Sequence, residues 1–89
     1  MARVTFTRNI QRHVQVPPVD VTGTTVHEVL EAVFAEHPRA RGYVLDDQGR
    51  VRKHVVIFVD GEQVHDREGL GDPVRAAAEV FVMQALAGG

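Results

Sequence analysis

Apolar residues along this chain follow two kinds of spacing. Between Arg3 and Thr7 they alternate with polar ones, placing Val4 and Phe6 on one face, as in a half-buried strand. From His13 to Val16 the alternation returns with Val14 and Val16, and Pro17-Pro18 closes the run, because proline cannot donate to a sheet ladder. Two such runs separated by a short polar stretch predict a hairpin. The spacing then changes. Val26, Val29, Leu30, Val33 and Phe34 fall at i, i+3, i+4, i+7 and i+8, which predicts one helix with a single apolar stripe. Thr25 and Glu28 form a capping box at its start, and Pro38 disfavours helix at His37.

The second half reads as strands and turns. Ala40 to Leu45 is short and fits a helical turn delivering Tyr43 or Leu45 to the core. Asp46 to Gly49 is a turn. A β-branched strand runs from His54 to Val59, followed by a tight Asp60-Gly61 turn and a return strand from Glu62 to Val64. A loop with Gly69, Gly71 and Pro73 leads to one helical turn at Arg75 to Ala78, and Glu79 to Gln84 is the last strand. The order β-β-α-β-β-β predicts an α+β fold, a mixed sheet with one long helix packed on one face. The other face is open to water unless a partner covers it.

Strand phase decides what that open face carries. If Val55, Ile57 and Val59 face the helix, Val56 and Phe58 point outward; if Val80 and Val82 face it, Phe81 and Met83 point outward. Were the two strands neighbours, Val56, Phe58, Phe81 and Met83 would form one exposed apolar patch, a feature that marks partner surfaces. The competing arrangement has the strands facing the other way, or loop 65–78 lying over the patch.

Composition narrows the function. Eighty-nine residues support one modest core. A net charge of −2 argues against nucleic-acid binding, and no apolar run approaches the ~20 residues of a membrane span. The N-terminus lacks the apolar core of a signal peptide, so a cytoplasmic location is expected. Without cysteine there is no disulfide, thiolate nucleophile or zinc-thiolate site. Nine arginines against the single Lys53 reflect genomic composition. His13, His27, His37, His54 and His65 show no metal-ligand spacing, and Asp46-Asp47 with Gly49 reads as a polar turn rather than a calcium loop. Arg50, Arg52 and Lys53 read as an exposed strand start. No catalytic residue and no metal site are expected.

Four features together resemble the ubiquitin-like sulfur-carrier family of MoaD and ThiS type. Thr25-Val26 opens the helix and Glu28-Val29-Leu30 continues it; Pro38 closes it; Val55 to Gly61 (VVIFVDG) is similar to the family's central strand and tight turn; Gly88-Gly89 ends the sequence. Two stretches differ from the family pattern: AAAEV stands where a Gly-Asp pair is common, and Gln84 to Ala87 (QALA) where prolines are common. The resemblance implies a ubiquitin-like β-grasp domain over residues 1–84 and a flexible C-terminal tail over 85–89. It implies that Leu86, Ala87, Gly88 and Gly89 enter a partner's active site, where the Gly89 carboxylate is adenylated and then thiocarboxylated. The implied partners are a ubiquitin-activating-type adenylating enzyme and a sulfur-accepting synthase. ATP and magnesium belong to the activating partner, and the chain binds no cofactor of its own. A protein modifier conjugated through Gly89, or a non-catalytic β-grasp binding module, are the alternatives.

The chemistry suits such an end. A terminal carboxylate has a pKa of ~3.5 and is ionised at neutral pH, ready to attack the α-phosphate of ATP. Two residues without side chains allow a narrow channel and φ values barred to others. Five extended residues from Ala85 reach ~16 Å, enough to cross an active-site wall.

Overall fold

The computed structural model describes residues 1–84. Eight elements follow one another: β1 (Ala2–Phe6), α1 (Arg8–Gln11), β2 (Val19–Val21), α2 (Val26–Glu36), α3 (Pro38–Val44), β3 (Val55–Val59), β4 (Glu62–Gln63) and β5 (Glu79–Gln84). The strands form one sheet in the order β2-β1-β5-β3-β4. β1 and β5 are parallel; the other three pairings are antiparallel. The expectation for residues 85–89 lies outside the described residues.

The apolar spacing builds the core as expected for α2. Val26, Val29, Leu30, Val33 and Phe34 are all buried, facing Val4 and Phe6 of β1, Val55 and Ile57 of β3, and Val80 and Val82 of β5 in one cluster. Thr25 caps the helix, its Oγ1 accepting from the Glu28 N–H at 3.2 Å. The reciprocal half of the capping box is shifted by one residue. Glu28 Oε1 accepts from the Thr24 N–H (2.7 Å) and the Thr24 hydroxyl (2.9 Å), not from Thr25.

The expected strand at His13–Val16 is not formed. The chain instead makes the short helix α1, which buries Ile10, and pairs with β1 later, through β2. The cause is Gln11. Its Nε2 donates to the carbonyls of Phe6 and Val16, and its Oε1 accepts from the Val16 N–H at 2.9 Å, meeting main-chain valences a ladder would have used. Val16 is still buried, so its place in the alternation reports core contact from a loop. Pro17-Pro18 therefore leads into β2 rather than ending a strand.

Three smaller differences follow from local geometry. Pro38 both stops α2 and opens α3 as its first residue, where its missing N–H costs nothing. α3 buries Ala40 and Val44, and Leu45 behind it, while Tyr43 is half-buried. The return strand is only Glu62–Gln63, although Val64 is buried and its N–H reaches the Ile57 carbonyl at 2.8 Å. Residues Arg75–Ala78 form a turn rather than a helical one, with Ala77 left-handed at φ 65°. The Asp60-Gly61 turn takes positive φ at both residues, 50° and 85°, as a two-residue hairpin turn requires.

The 65–74 loop stabilises the start of α2. The first N–H groups of a helix have no partner within it. Here Val26 donates to the Asp72 carbonyl (3.0 Å) and His27 to the Leu70 carbonyl (2.9 Å). Two carboxylates hold the loop in turn. Asp66 accepts from the N–H groups of Gly69 (2.8 Å) and Gly71 (3.1 Å), and Asp72 from those of His65 and Asp66, both at 2.9 Å. A Cβ on Gly69 would stand 2.9 Å from Asp66 Oδ2, so a larger residue there would push on the carboxylate that holds the loop. The Gly69 N–H foremost lowers the Asp66 pKa below the ordinary carboxylate value, and the His65 N–H does the same for Asp72.

A carboxylate with a depressed folded pKa stabilises fully above its unfolded pKa, about 3.9, and loses that contribution as pH falls through the folded value. Asp66→Asn is thus expected to lower the melting temperature at neutral pH, with the gap to the parent closing as pH drops below about 4. A gap that stays constant with pH would show that the carboxylate charge does not hold this loop.

Candidate functional site

β5 is the middle strand, and its pleat sorts the residues around it. Val80 and Val82 are fully buried against the helix side, and Val55 and Ile57 of β3 join them. Phe81 and Met83 therefore lie on the opposite face. The antiparallel register sets Phe58 directly across from Phe81 and Val56 directly across from Met83. The four residues named from sequence alone form two adjacent cross-strand pairs on one face. Phe81 is 39% exposed, and Val56, Phe58 and Met83 are half-buried. Loop 65–78 does not bury Phe81. Thr5 of β1 flanks Phe81 on one side, and Gln63 of β4 flanks Phe58 on the other. The patch is thus an apolar strip with polar edges. Val59, expected to face the helix, is only half-buried, because it ends β3 at the turn.

The strip leads to Gln84, which pairs with Val55 and is the last residue of β5. A small cluster not anticipated from sequence surrounds that point. The Tyr43 hydroxyl donates to Gln84 Oε1 at 3.0 Å. The Tyr43 ring stacks on His13 with centroids 5.1 Å apart and meets the edge of His54 at 5.3 Å. These side chains come from α3, from the loop after α1 and from the turn before β3. No spacing in the sequence joins them; only the sheet register and α3 do.

Leu86, Ala87, Gly88 and Gly89 lie outside the described residues. The remaining sequence candidates fall as follows. Asp46 accepts from the N–H groups of Gln48 (2.9 Å) and Arg50 (3.0 Å) and pairs with the Arg50 guanidinium, which occupies its oxygens within the turn. Arg52 donates to the Gly42 carbonyl at 2.8 Å, and Lys53 is exposed. Among the described residues no three histidine or carboxylate side chains come close enough to hold a metal ion, and no helix is long and apolar enough to cross a membrane.

The family model described as ThiS family matches residues 6–89. None of the curated proteins compared with the chain matches it. Solved structures do. A chain of the Amycolatopsis orientalis BexX/CysO complex is 21% identical with TM-score 0.83, and the match covers all of both chains. Mycobacterium tuberculosis CysO is 20% identical with TM-score 0.81 over 97% of this chain and 100% of its own. SAMP1 from Haloferax volcanii is 24% identical with TM-score 0.77 over 99% and 98%. At these identities the structural likeness establishes the shared ubiquitin-like β-grasp fold.

The sorting of faces by β5 can be tested by stability alone. Ile57→Ala removes a fully buried side chain and is expected to cost about 2–5 kcal/mol in urea unfolding. Phe81→Ser loses one cross-strand pair on an exposed face and is expected to cost about 1 kcal/mol or less. Equal losses would place Phe81 in the core.

With the family model extending over nearly the whole chain, and the sheet order and helix placement of a β-grasp domain, this protein belongs to the ThiS family.

Proposed function

We propose that the chain is a sulfur carrier working at its Gly89 carboxylate. The observation that carries this reading is the family match running through to Gly89. The carboxylate oxygen attacks the α-phosphorus of ATP, pyrophosphate leaves, and a mixed acyl-phosphate anhydride is formed. A sulfide equivalent then adds to the acyl carbon, AMP departs, and Gly89 is left as a thiocarboxylate. The sulfur passes to a synthase in cofactor, amino-acid or tRNA biosynthesis.

The chemistry is divided between proteins. The chain has no GxxxxGK[ST] stretch to cradle a triphosphate. A ubiquitin-activating-type partner brings ATP, magnesium and the groups that stabilise the developing charge. The carrier contributes an acyl group that is not itself a catalyst, in the cytoplasm where ATP is available. The apolar strip of Val56, Phe58, Phe81 and Met83 is the docking surface in this reading. It ends beside Gln84, so a partner seated on it is placed to take up Leu86 to Gly89. The fold is shared with a protein named small archaeal modifier protein 1, and that name keeps a second destination in view, in which the same activated carboxyl is joined to a lysine of a target protein.

Incubation with the activating enzyme, ATP and a sulfur donor is expected to raise the intact mass by the difference between one sulfur and one oxygen atom. Deleting Gly88-Gly89 is expected to abolish the rise. Conjugates of higher mass without a thiocarboxylate would favour the modifier, and binding indifferent to the deletion would favour a non-catalytic module. Phe81→Ser is expected to raise KM for the carrier by about tenfold or more while the fold is retained. An unchanged KM would remove the strip from the docking surface.

A further inference from the structure

Charge is unevenly placed along the sheet. β1 and β5 run in parallel toward one end, where the Thr7 N–H donates to the Val82 carbonyl and β3 begins. At the opposite end Asp60, Glu62 and Asp72 line a groove with Arg75. At the end where β5 finishes, Arg8 starts α1 and Arg12 caps it. Arg12, His13, His37 and Arg39 line one open cleft between the α1–β2 connection and the α2–α3 junction, with Glu36 at its side. The cleft adjoins the finish of β5, because His13 stacks on Tyr43 and Tyr43 holds Gln84.

Pairing separates these arginines from the others. Arg3, Arg41, Arg50 and Arg75 are paired with Asp20, Glu31, Asp46 and Asp60. Arg52 donates to the Gly42 carbonyl, and Arg67 to those of Arg52 and Val55. Arg8, Arg12 and Arg39 have no such partner among the described residues, and all three are exposed. In a chain of net charge −2, two of these uncommitted guanidinium groups, Arg12 and Arg39, line the same cleft.

We propose that this cleft is a docking site for an acidic segment of the protein that receives the tail. The proposal rests on the carrier reading and gives the partner a second requirement: carboxylates that reach round the end of β5 to the helix side of the sheet, across from the apolar strip. A guanidinium presents five donors in a planar fork that matches a carboxylate in two parallel hydrogen bonds. Opposite charges at the mouth of the receiving channel speed encounter and set the orientation in which the tail arrives. A protein suits the site better than a nucleic acid. The overall negative charge and the acidic groove at the far end oppose a long polyanion, whereas a short acidic segment meets only the cationic end.

Two measurements test this. In the first, the isotopically labelled protein is titrated with an oligoglutamate peptide at low salt. Amide shifts are expected at Arg12, His13 and Arg39, and are expected to vanish in Arg12→Glu/Arg39→Glu. Shifts scattered over all the arginines, or tighter binding of a short oligothymidine, would overturn the proposal. In the second, carrier-dependent adenylation is followed with the activating enzyme. The double variant is expected to raise KM about tenfold with kcat nearly unchanged, and the parent's KM is expected to rise steeply with salt. A KM indifferent to both would also overturn it. A parent that is never adenylated would instead refute the carrier reading, and the peptide titration would still decide whether the cleft takes carboxylates. Circular dichroism on the double variant, whose two sites are exposed, shows whether it folds.

Discussion

The position of β5 between β1 and β3 governs this structure. Hydrogen-bonded on both edges, the strand cannot slip or turn over without breaking both ladders. A slip of one residue would also carry Val80 and Val82 out of the core and drive Phe81 and Met83 into it. One pleat therefore serves two purposes. It fills the space under α2 with valines and presents aromatic and thioether side chains on the other face. It also sets where Gln84, the last described residue, sits: beside the start of β3 and near the end of β1.

The other long-range device is the loop before β5. Its carbonyls at Leu70 and Asp72 take the first N–H groups of α2, and its shape is held by Asp66 and Asp72 through main-chain hydrogen bonds rather than apolar packing alone. Leu70 takes a left-handed φ of 55° and is nevertheless fully buried. That conformation is unfavourable for a branched-chain residue, and burial of its side chain together with the hydrogen bond to His27 offsets the cost. The helix start, the loop and the last strand thus form one connected unit. The outward side chains of β5 and the cleft at the far end of α2 take no part in these loop hydrogen bonds.

Sequence and structure part company at identifiable residues. The alternation at Val14 and Val16 looked like a strand, but a glutamine side chain five residues from both Phe6 and Val16 supplied the hydrogen bonds locally. Alternation reports which residues are buried; whether the backbone around them joins a ladder depends on which partners its N–H and C=O groups find. The segment after Pro38 was ambiguous because seven residues are too few for a clear period, and proline ends one helix as readily as it begins another. The Asp60-Gly61 hairpin and the strand from Val55 were legible, since turn chemistry and β-branched runs act within a few residues. The four outward residues were legible too, once the inward phase of β3 and β5 was assigned.

Composition and spacing by themselves determined the α+β class, the long helix with its cap at Thr25, the first, third and last strands, and the alternation that splits β3 and β5 into two sets of residues, leaving open which set faces the helix. These follow from short-range physics: steric preferences of the backbone, helical and pleated periods, and the burial of apolar side chains. Only the tertiary structure decided that β3 and β5 are neighbours in the register that joins Phe58 to Phe81. It alone brought His13, Tyr43 and His54 together at Gln84, and Arg12 to the same cleft as Arg39. Such contacts link segments tens of residues apart, and they are set by which surfaces pack in three dimensions, a quantity no local pattern encodes.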